Sequence, residues 1–379
     1  MKRFLLVITA ISTLFSACQK DKVTLHLIET TDVHGRFFNY DFVQDTIRAG
    51  SLSQFATYID SLRKAESNII LMDNGDIIQG DPAIYYSNYI DTNNTNLLTH
   101  IYKTLQYDVA TIGNHDIEAG PAVYNKIKKE LTTPWLGANI IETATGKPAF
   151  KPFQIIIKDG VKIAILGITT PGIPNWLPEK LYKGLTFKGM VETAKKWMPI
   201  IKEEKPDIIV GLFHAGLDAN YEDFENNDPL NPNATLNVAK EVPGFNVIFA
   251  GHDHRKAVKT ITSKEGDTVY VVNAGSHGKY AGNVKIVFDK KTNSIHKIEA
   301  RLDNLQSIDA NTKFNHKFEN YIKEVKDFFN QPIAHLNTKL CPQKALFGPS
   351  EFMQFILSST ISNKSGYFTI GTPADTPLH

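Results

Sequence analysis

The period of the hydrophobic pattern changes several times along the first part of the chain, and each change predicts a secondary-structure element. Apolar and polar residues alternate over residues 23–28, which predicts a β-strand, whereas apolar residues recur at helical spacing over residues 51–65. An apolar run at residues 69–72 predicts a buried strand, and a helix over residues 97–105 precedes a strand over residues 107–112. This alternation is typical of an α/β domain with helices on the outer faces of its sheets.

The middle of the chain repeats this order. Two apolar segments, residues 153–157 and 161–168, flank an Asp159-Gly160 turn and predict a β-hairpin. Further short apolar runs predict strands over residues 207–213, 246–250, 268–273 and 284–288. A charge-rich amphipathic helix is predicted over residues 309–330, and the pattern weakens beyond Pro332. We interpret the apolar face of this helix as core rather than as a base-stacking platform; it consists of Phe314, Phe318, Ile322, Val325 and Phe329.

The N-terminus has the features of an export signal. Basic residues at positions 2 and 3 precede an apolar run over residues 4–15, and two small residues lie directly before Cys18. The run is too short to span a bilayer as a helix. Small residues before a cysteine resemble a bacterial lipobox, which implies cleavage before Cys18 and acylation of its sulfur; an ordinary cleaved signal is the alternative. We expect a signal peptide over residues 1–17 and an exported bacterial lipoprotein, on the periplasmic side or in the outer membrane.

The charge balance limits the class of partner. The chain has 379 residues, with 41 lysines and arginines against 40 acidic residues, and a formal net charge of +1. A chain so close to neutral has no electrostatic reason to bind a nucleic-acid polymer. We therefore expect charge recognition to be local, inside one site. We also expect a monomer that contacts the membrane through its lipid anchor.

Side chains that can bind metal ions follow five of the predicted strands. In chain order they are Asp32 and His34, Asp76, Asn114 with His115, His214, and His252-Asp253-His254. Loops at the carboxyl ends of sheet strands converge, so we expect these clusters to share one site. Their mixture of nitrogen and oxygen ligands suits zinc, manganese, iron or cobalt better than calcium. Two such ions lower the pKa of a water molecule and neutralise charge on a phosphoryl group, and His115 is a candidate donor to the phosphate or to the leaving group.

Five segments together resemble the calcineurin-like metallophosphoesterases, and within them the catalytic domain of secreted 5′-nucleotidases and 2′,3′-cyclic-nucleotide phosphodiesterases. They are Asp32-Val33-His34-Gly35, Gly75-Asp76, Gly113-Asn114-His115-Asp116, His214-Ala215-Gly216 and Gly251-His252-Asp253-His254. The resemblance covers residues 24–303. It implies a four-layer α/β/β/α sandwich of the metallophosphatase type that binds two divalent metal ions.

The resemblance also implies a role for each residue of the site. The first ion would be bound by Asp32, His34, Asp76 and His254, and the second by Asp76, Asn114, His214 and His252. His115 would be the catalytic histidine and would contact the phosphate together with Asn114. The family usually has an aspartate three residues after this histidine to orient it, and we expect Glu118 to take that role here. His277 lies in a glycine-rich loop near the proposed site. It is a candidate for contact with the phosphate or for support of the metal ligands. The alternative is that the loop is simply a turn that requires glycine.

The resemblance predicts the order of domains as well. We expect a lipidated Cys18 and tether over residues 18–22, a metallophosphoesterase domain over residues 23–303 and a linker helix over residues 304–345. Residues 346–379 would be the remnant of a C-terminal nucleotidase domain, because Phe347-Gly348-Pro349-Ser350 resembles its opening and little chain follows. In the family that domain grips the base between aromatic rings and supplies arginines to the phosphate.

We therefore predict a metal-dependent phosphoric ester hydrolase, either a 5′-nucleotidase or a 2′,3′-cyclic-nucleotide phosphodiesterase, that acts on small nucleotides in nucleotide scavenging. Two alternatives stay open at this point. The first alternative is a non-catalytic lipoprotein that binds a phosphate ligand. The second is an inactive truncated remnant whose linker helix has nothing to pack against. The same scaffold also serves the hydrolysis of sulfur esters and of sugar nucleotides.

Overall fold

The computed structural model describes residues 21–218, 228, 230–332 and 340–362. The predicted signal sequence, Cys18 and the segment from residue 363 onward lie outside these ranges. In the part that is described, no helix combines the length and the apolar character needed to cross a bilayer.

Strands and helices alternate through most of the chain. The strands are β1 (Lys22–Thr30), β2 (Tyr40–Asp41), β3 (Thr46–Ile47), β4 (Ile69–Asp73), β5 (Val109–Thr111), β6 (Trp135–Leu136), β7 (Ile140–Glu142), β8 (Phe153–Lys158), β9 (Val161–Thr169), β10 (Leu185–Phe187), β11 (Ile208–His214), β12 (Val247–Ala250), β13 (Lys256–Thr262), β14 (Thr268–Ala274), β15 (Tyr280–Asp289) and β16 (Ser294–Asn304). The α-helices are α1 (Leu52–Ala65), α2 (Pro82–Tyr85), α3 (Leu97–Leu105), α4 (Asn114–Glu118), α5 (Pro121–Glu130), α6 (Ile173–Trp176), α7 (Met190–Glu203), α8 (Thr235–Glu241), α9 (Thr312–Lys317), α10 (Glu319–Phe329) and α11 (Glu351–Ser362). A π-helical turn spans Tyr86–Ile90, and 3₁₀ turns span Glu179–Leu181 and Pro342–Phe347.

Two six-stranded sheets form the centre of the fold. The first has the order β16-β15-β1-β4-β5-β6, and the second has the order β13-β14-β12-β11-β9-β8. Strands β1, β4, β5 and β6 are parallel, as are β14, β12, β11 and β9, while the outer strands β15, β16, β13 and β8 pair antiparallel. Parallel central strands that are apolar on both faces must be covered on both sides, which the sandwich achieves.

Three apolar cores separate four layers. One lies between the two sheets and includes Leu27 and Val210. The second lies under α1 and α3 on the outer face of the first sheet and includes Phe55. The third lies under α7 and α8 on the outer face of the second sheet and includes Met198 and Val238. The predicted α/β/β/α sandwich is therefore confirmed.

The apolar pattern located the central strands of the two large sheets. It missed three of their edge strands, β6, β13 and β16, and the four short strands of the two-stranded sheets, β2, β3, β7 and β10. The predicted hairpin is β8 and β9, joined at Asp159-Gly160, and the strand predicted over residues 23–28 is β1. Strands β13 and β16 were not predicted, because most of their side chains are exposed or only partly buried. Their pairing is set by the neighbouring strands rather than by an apolar stripe of their own.

The helix predicted over residues 309–330 is two helices, α9 and α10, interrupted at Phe318. The ring of Phe318 is buried against Phe38, with their centroids 5.6 Å apart, and the ring of Phe314 lies 6.1 Å from that of Phe38. Val325 in α10 is fully buried in the same core. These helices therefore pack on the first sheet's helical layer, which gives the predicted linker helix a surface within the described chain.

We expect Phe318→Ala to destabilise the protein by about 3–5 kcal/mol, because it leaves a cavity beside Phe38. The measurement is urea unfolding of the full chain with chelator present, so that metal binding does not contribute. Phe329→Ala is the matched control, since that ring is 39% exposed, and should cost less than about 1 kcal/mol. A loss below about 1 kcal/mol in both variants would contradict the packing of α9 and α10 on the domain.

Candidate metal centre

The carboxyl ends of the parallel strands meet at one edge of the sandwich, and the predicted metal ligands lie there. Asp32 follows β1, Asp76 follows β4 and Asn114 begins α4 just after β5. From the second sheet, His214 ends β11 and His252 follows β12. The fold thus brings together side chains that are far apart along the chain, such as Asp32 and His254, whose positions differ by 222 (254 − 32).

One group of potential ligands consists of Asp32, His34 and His254, whose ligand atoms all lie within 4.8 Å of one another. The Nε2 atoms of the two histidines are 3.0 Å apart, and Nε2 of His254 is 3.4 Å from Oδ1 of Asp32. Asp32 also accepts hydrogen bonds from the backbone N–H of His252 at 3.0 and 3.1 Å, which ties this group to the second one.

The second group consists of Asp76, His214 and His252, whose ligand atoms also lie within 4.8 Å of one another. Nε2 of His214 is 3.0 Å from Oδ2 of Asp76. Oδ1 of Asn114 joins this group, because it lies 3.1 Å from Nε2 of His214 and 2.8 Å from Nδ1 of His252. All seven predicted ligands are therefore contained in two adjacent clusters.

The donor chemistry of these clusters fits a cation. Nδ1 of His214 donates to the backbone carbonyl of Asn74 at 2.7 Å, so in the neutral ring Nε2 presents a lone pair. That lone pair faces the oxygens of Asp76 and Asn114, which are also acceptors. Acceptor atoms that converge in this way repel one another unless a positive charge lies among them, either a proton on Nε2 of His214 or a metal ion. The two clusters are thus candidate sites for two divalent ions.

The charges of the clusters lead to the same conclusion. Burial raises the pKa of the Asp76 carboxyl, but the surrounding histidines, His214 first, outweigh it and hold that pKa well below its usual value. Burial alone would lower the pKa of His214, but the charges of Asp76 and Asp32 raise it to about 10. Burial lowers the pKa of His34 to about 4 and that of His252 to about 3, so both rings are neutral at neutral pH. Neutral imidazole is the form that binds metal.

The backbone at the ligand positions is strained. Non-glycine residues at positive φ cost about 1–3 kcal/mol each and cluster at functional sites. Two backbone hydrogen bonds hold the first two ligand loops against each other, from the N–H of Asp32 to the oxygen of Gly75 at 3.0 Å and from the N–H of His34 to that of Asp76 at 2.9 Å. The site residues with φ between 50° and 71° are Asp32, His34, Asp76, His252, His254 and His277.

Asp116 is a positioning residue whose role the sequence did not reveal. Its buried carboxylate accepts four backbone N–H bonds, and it thereby joins the loop after β4 to the loop after β5. The donors are the N–H groups of Asp76 at 3.0 Å, Ile77 at 3.0 Å, Ile78 at 3.1 Å and Gly113 at 2.7 Å. The loops approach so closely that a Cβ on Gly113 would lie 2.2 Å from Oδ1 of Asp76. Asp116 is the last residue of the Gly-Asn-His-Asp motif, so the sequence marked it as a member of the site. Only the fold reveals which N–H groups its carboxylate binds.

His115 lies beside the clusters and contacts Glu118. Its backbone N–H donates to Oδ1 of Asp76 at 2.8 Å, and its ring centroid is 5.3 Å from that of His34. Nδ1 of His115 contacts the carboxylate of Glu118. Burial lowers the pKa of His115, but Asp76 and Glu118 raise it to about 9. With Nδ1 engaged, Nε2 is the ring nitrogen available to a substrate.

His277 lies next to the first cluster. Its backbone N–H donates to the carbonyl of Asp32 at 2.8 Å, and its ring centroid is 5.6 Å from that of His34 and 5.8 Å from that of His254. Nδ1 is 3.0 Å from the hydroxyl of Ser276. The loop therefore both makes a turn and packs behind the ligands; contact with phosphate stays a prediction.

A model of the calcineurin-like phosphoesterase family matches residues 25–256. The chain belongs to this family. The matched residues run from β1 to the start of β13 and contain every predicted metal ligand. The family assignment made from the strand-end motifs is therefore confirmed.

Several proteins that resemble this chain are named as enzymes that act on nucleotides. A 2′,3′-cyclic-nucleotide 2′-phosphodiesterase/3′-nucleotidase of Yersinia enterocolitica is 27% identical over 96% of this chain and 60% of its own length. The chain thus spans only part of that protein. Among solved structures, calcineurin-like phosphoesterase YfkN from Bacillus subtilis superposes with a TM-score of 0.71 at 24% identity over 82% of this chain and all of that one. A 5′-nucleotidase precursor from Thermus thermophilus gives 0.66 at 20% identity over 84% of this chain and 62% of that one. Because both sequence identities are below 25%, these superpositions establish that the chain shares the fold of the two proteins.

Replacing Asp116 with asparagine tests the junction between the two ligand loops. In the asparagine variant an NH2 group replaces one carboxylate oxygen. This group cannot accept hydrogen bonds from the backbone N–H groups that face it, so we expect the free energy of unfolding to fall by about 2–4 kcal/mol. Zinc affinity should fall about 10- to 100-fold, because the substitution loosens the loop that carries Asp76. Urea unfolding and zinc titration measure the two effects. The exposed Asp309→Asn is the matched control, and a variant indistinguishable from it would contradict the positioning role.

Replacing Glu118 with glutamine tests how His115 is oriented. We expect turnover to fall about tenfold or more while metal content stays the same, because the amide cannot hold an imidazolium as the carboxylate does. Glu118→Asp should retain more turnover than the glutamine variant, since it keeps the charge. Phosphate release and elemental analysis are the measurements. Unchanged turnover in Glu118→Gln would remove this residue from the mechanism.

Proposed function

We propose that this chain is a two-metal hydrolase of phosphate esters and that its substrates are nucleotides. The observation that carries the proposal is the pair of adjacent acceptor clusters with His115 at their border. The proposed ligands of the first ion are Asp32, His34, Asp76 and His254, and those of the second are Asp76, Asn114, His214 and His252. When bound, the ions would make a water molecule more acidic and neutralise charge on the phosphoryl group.

The bridging role of Asp76 is supported by its surroundings. Its backbone carbonyl accepts from the N–H of His34, a member of the first cluster, at 2.9 Å. Its carboxylate contacts His214 in the second cluster at 3.0 Å and accepts from the N–H of His115 at 2.8 Å. The residue is 1% exposed, so its charge is compensated by these neighbours rather than by solvent. A carboxylate in this position is suited to two cations at once.

His115 and Asn114 would act on the substrate. Glu118 holds Nδ1 of His115 and so leaves Nε2 to donate a hydrogen bond to a phosphoryl oxygen or a proton to the departing oxygen. The His115 side chain is about one-third exposed, which lets a substrate reach it from solvent. Asn114 presents its side-chain oxygen to the second cluster, 3.1 Å from Nε2 of His214 and 2.8 Å from Nδ1 of His252.

The nucleotide class is proposed from family membership and from the names of the relatives. Attachment to a membrane through Cys18 and a periplasmic or outer-membrane location are likewise proposals that rest on the N-terminal sequence. One feature of the described residues favours an enzyme over a non-catalytic binder. A binder has no need of a histidine held by a carboxylate beside the ligands, and that pair is intact here.

Metal-dependent hydrolysis is the expected activity. The full chain is assayed with p-nitrophenyl phosphate, its bis-ester, AMP and 2′,3′-cyclic AMP, in manganese, in zinc and in chelator. We expect release with metal and none with chelator, and loss of at least about 100-fold in Asn114→Ala, which removes a ligand and a phosphate contact. Asn94→Ala, an exposed asparagine on another loop, should behave like the unmodified chain.

The negative outcome is equally informative. A folded chain that takes up two equivalents of metal and releases no phosphate from any of the four esters would contradict the hydrolase. That result would favour the non-catalytic binder. Failure to take up metal would contradict the ligand assignment itself.

A further inference from the structure

A partly exposed tryptophan lies against the second candidate metal site. Trp176 ends α6, in the segment that follows β9, and its ring is stacked on that of His252 with centroids 5.2 Å apart and an interplanar angle of 30°. The residue is nevertheless 41% exposed. A large apolar surface therefore faces solvent immediately beside a proposed metal ligand.

The indole is held in place rather than loosely attached. The segment is tied to the site at its start, because the N–H of Thr170 donates to the carbonyl of His214 at 2.7 Å. Ile173 is fully buried and anchors α6 in the core. A Cβ at position 172 would lie 2.8 Å from Cη2 of Trp176, so the glycine there lets the ring pack against the backbone. The position of the indole is thus fixed before any ligand arrives.

Packing does not require an exposed indole at this position. Burying a tryptophan side chain stabilises a protein, and the exposed part of Trp176 contributes none of that free energy. Ile173 already anchors α6 in the core. Rigid, partly exposed aromatic rings are efficient binding surfaces because few side-chain rotations are lost on contact. Bases stack on such rings whatever their identity, because every base has a flat π-face.

We propose that Trp176 is the surface on which the aromatic part of the substrate packs, namely the nucleobase of a nucleotide or the ring of an aryl phosphate. This inference rests on the proposed function, since it assumes that the phosphate binds at the metal centre. It deepens that function by naming a substrate class, phosphate esters with a flat aromatic group. It also places recognition of that group in the metallophosphoesterase domain itself, on α6.

Kinetics of the full chain separate substrate recognition from other roles. Trp176→Ala should lower kcat/KM for AMP and p-nitrophenyl phosphate by about 5- to 100-fold, mainly through KM. Hydrolysis of glycerol 2-phosphate, which has no ring, should be unchanged, and zinc content should stay the same. Trp176→Phe should retain most of the activity on the aromatic esters, because it keeps a π-face. Trp197→Phe is the matched control, since that tryptophan packs on Phe153 away from the site.

Fluorescence provides a readout that does not need turnover. We expect the non-hydrolysable methylenephosphonate analogue of AMP to quench the tryptophan emission of the zinc-loaded chain, whereas methylphosphonate should not. The quenching should disappear in Trp176→Phe and persist in Trp197→Phe. Quenching together with a lack of hydrolysis would contradict the proposed function and leave the stacking surface standing.

Two results would overturn the inference. An equal loss on glycerol 2-phosphate and on the aromatic esters would mean that Trp176 acts only by positioning His252. Quenching that is the same in Trp176→Phe and in the unmodified chain would mean that the base binds elsewhere. Either result leaves metal-dependent hydrolysis of phosphate esters untouched, so the two proposals fail separately.

Discussion

The structure depends on the burial of two carboxylates, Asp32 and Asp76, at the junction of the two sheets. Neither is more than 1% exposed, and a buried carboxylate is stable only with positive charge or hydrogen-bond donors around it. The chain supplies histidines at contact distance, and their ring nitrogens face the carboxylate oxygens. The same negative field that raises the pKa of His214 favours a divalent cation, which would provide the compensation more fully.

That constraint accounts for the architecture around it. Ligands must come from several strands at once, and the parallel strands of two packed sheets deliver their carboxyl ends to one edge. The loops between them carry left-handed backbone at non-glycine residues, and this strain is held by hydrogen bonds between loops. Asp116 contributes most directly, because four N–H groups of two ligand loops converge on its one carboxylate.

The surroundings of the clusters divide into a polar and an apolar side. On one side Glu118 contacts Nδ1 of His115, whose backbone N–H donates to the buried carboxylate of Asp76. On the other side Trp176 stacks on His252 and is still 41% exposed. A phosphate ester has the same two parts, a charged group that needs cations and donors and, in a nucleotide, a flat ring that leaves water readily. These two parts correspond to the two sides of the site in the substrate class that we propose.

The sequence by itself determined the family, the four-layer sandwich and the set of seven candidate ligands. The family and the sandwich followed from the resemblance of the five ligand-bearing motifs to the calcineurin-like phosphoesterases. The apolar runs predicted the strands that these motifs follow, and loops at the carboxyl ends of such strands converge on one site. Only the tertiary structure decided which N–H groups Asp116 binds, that α9 and α10 separate at Phe318, and that Trp176 packs on His252. These features depend on contacts between segments far apart in the chain, which leave no periodic trace in either segment. Strands β13 and β16 belong with them, since their pairing is set by neighbouring strands and not by their own pattern.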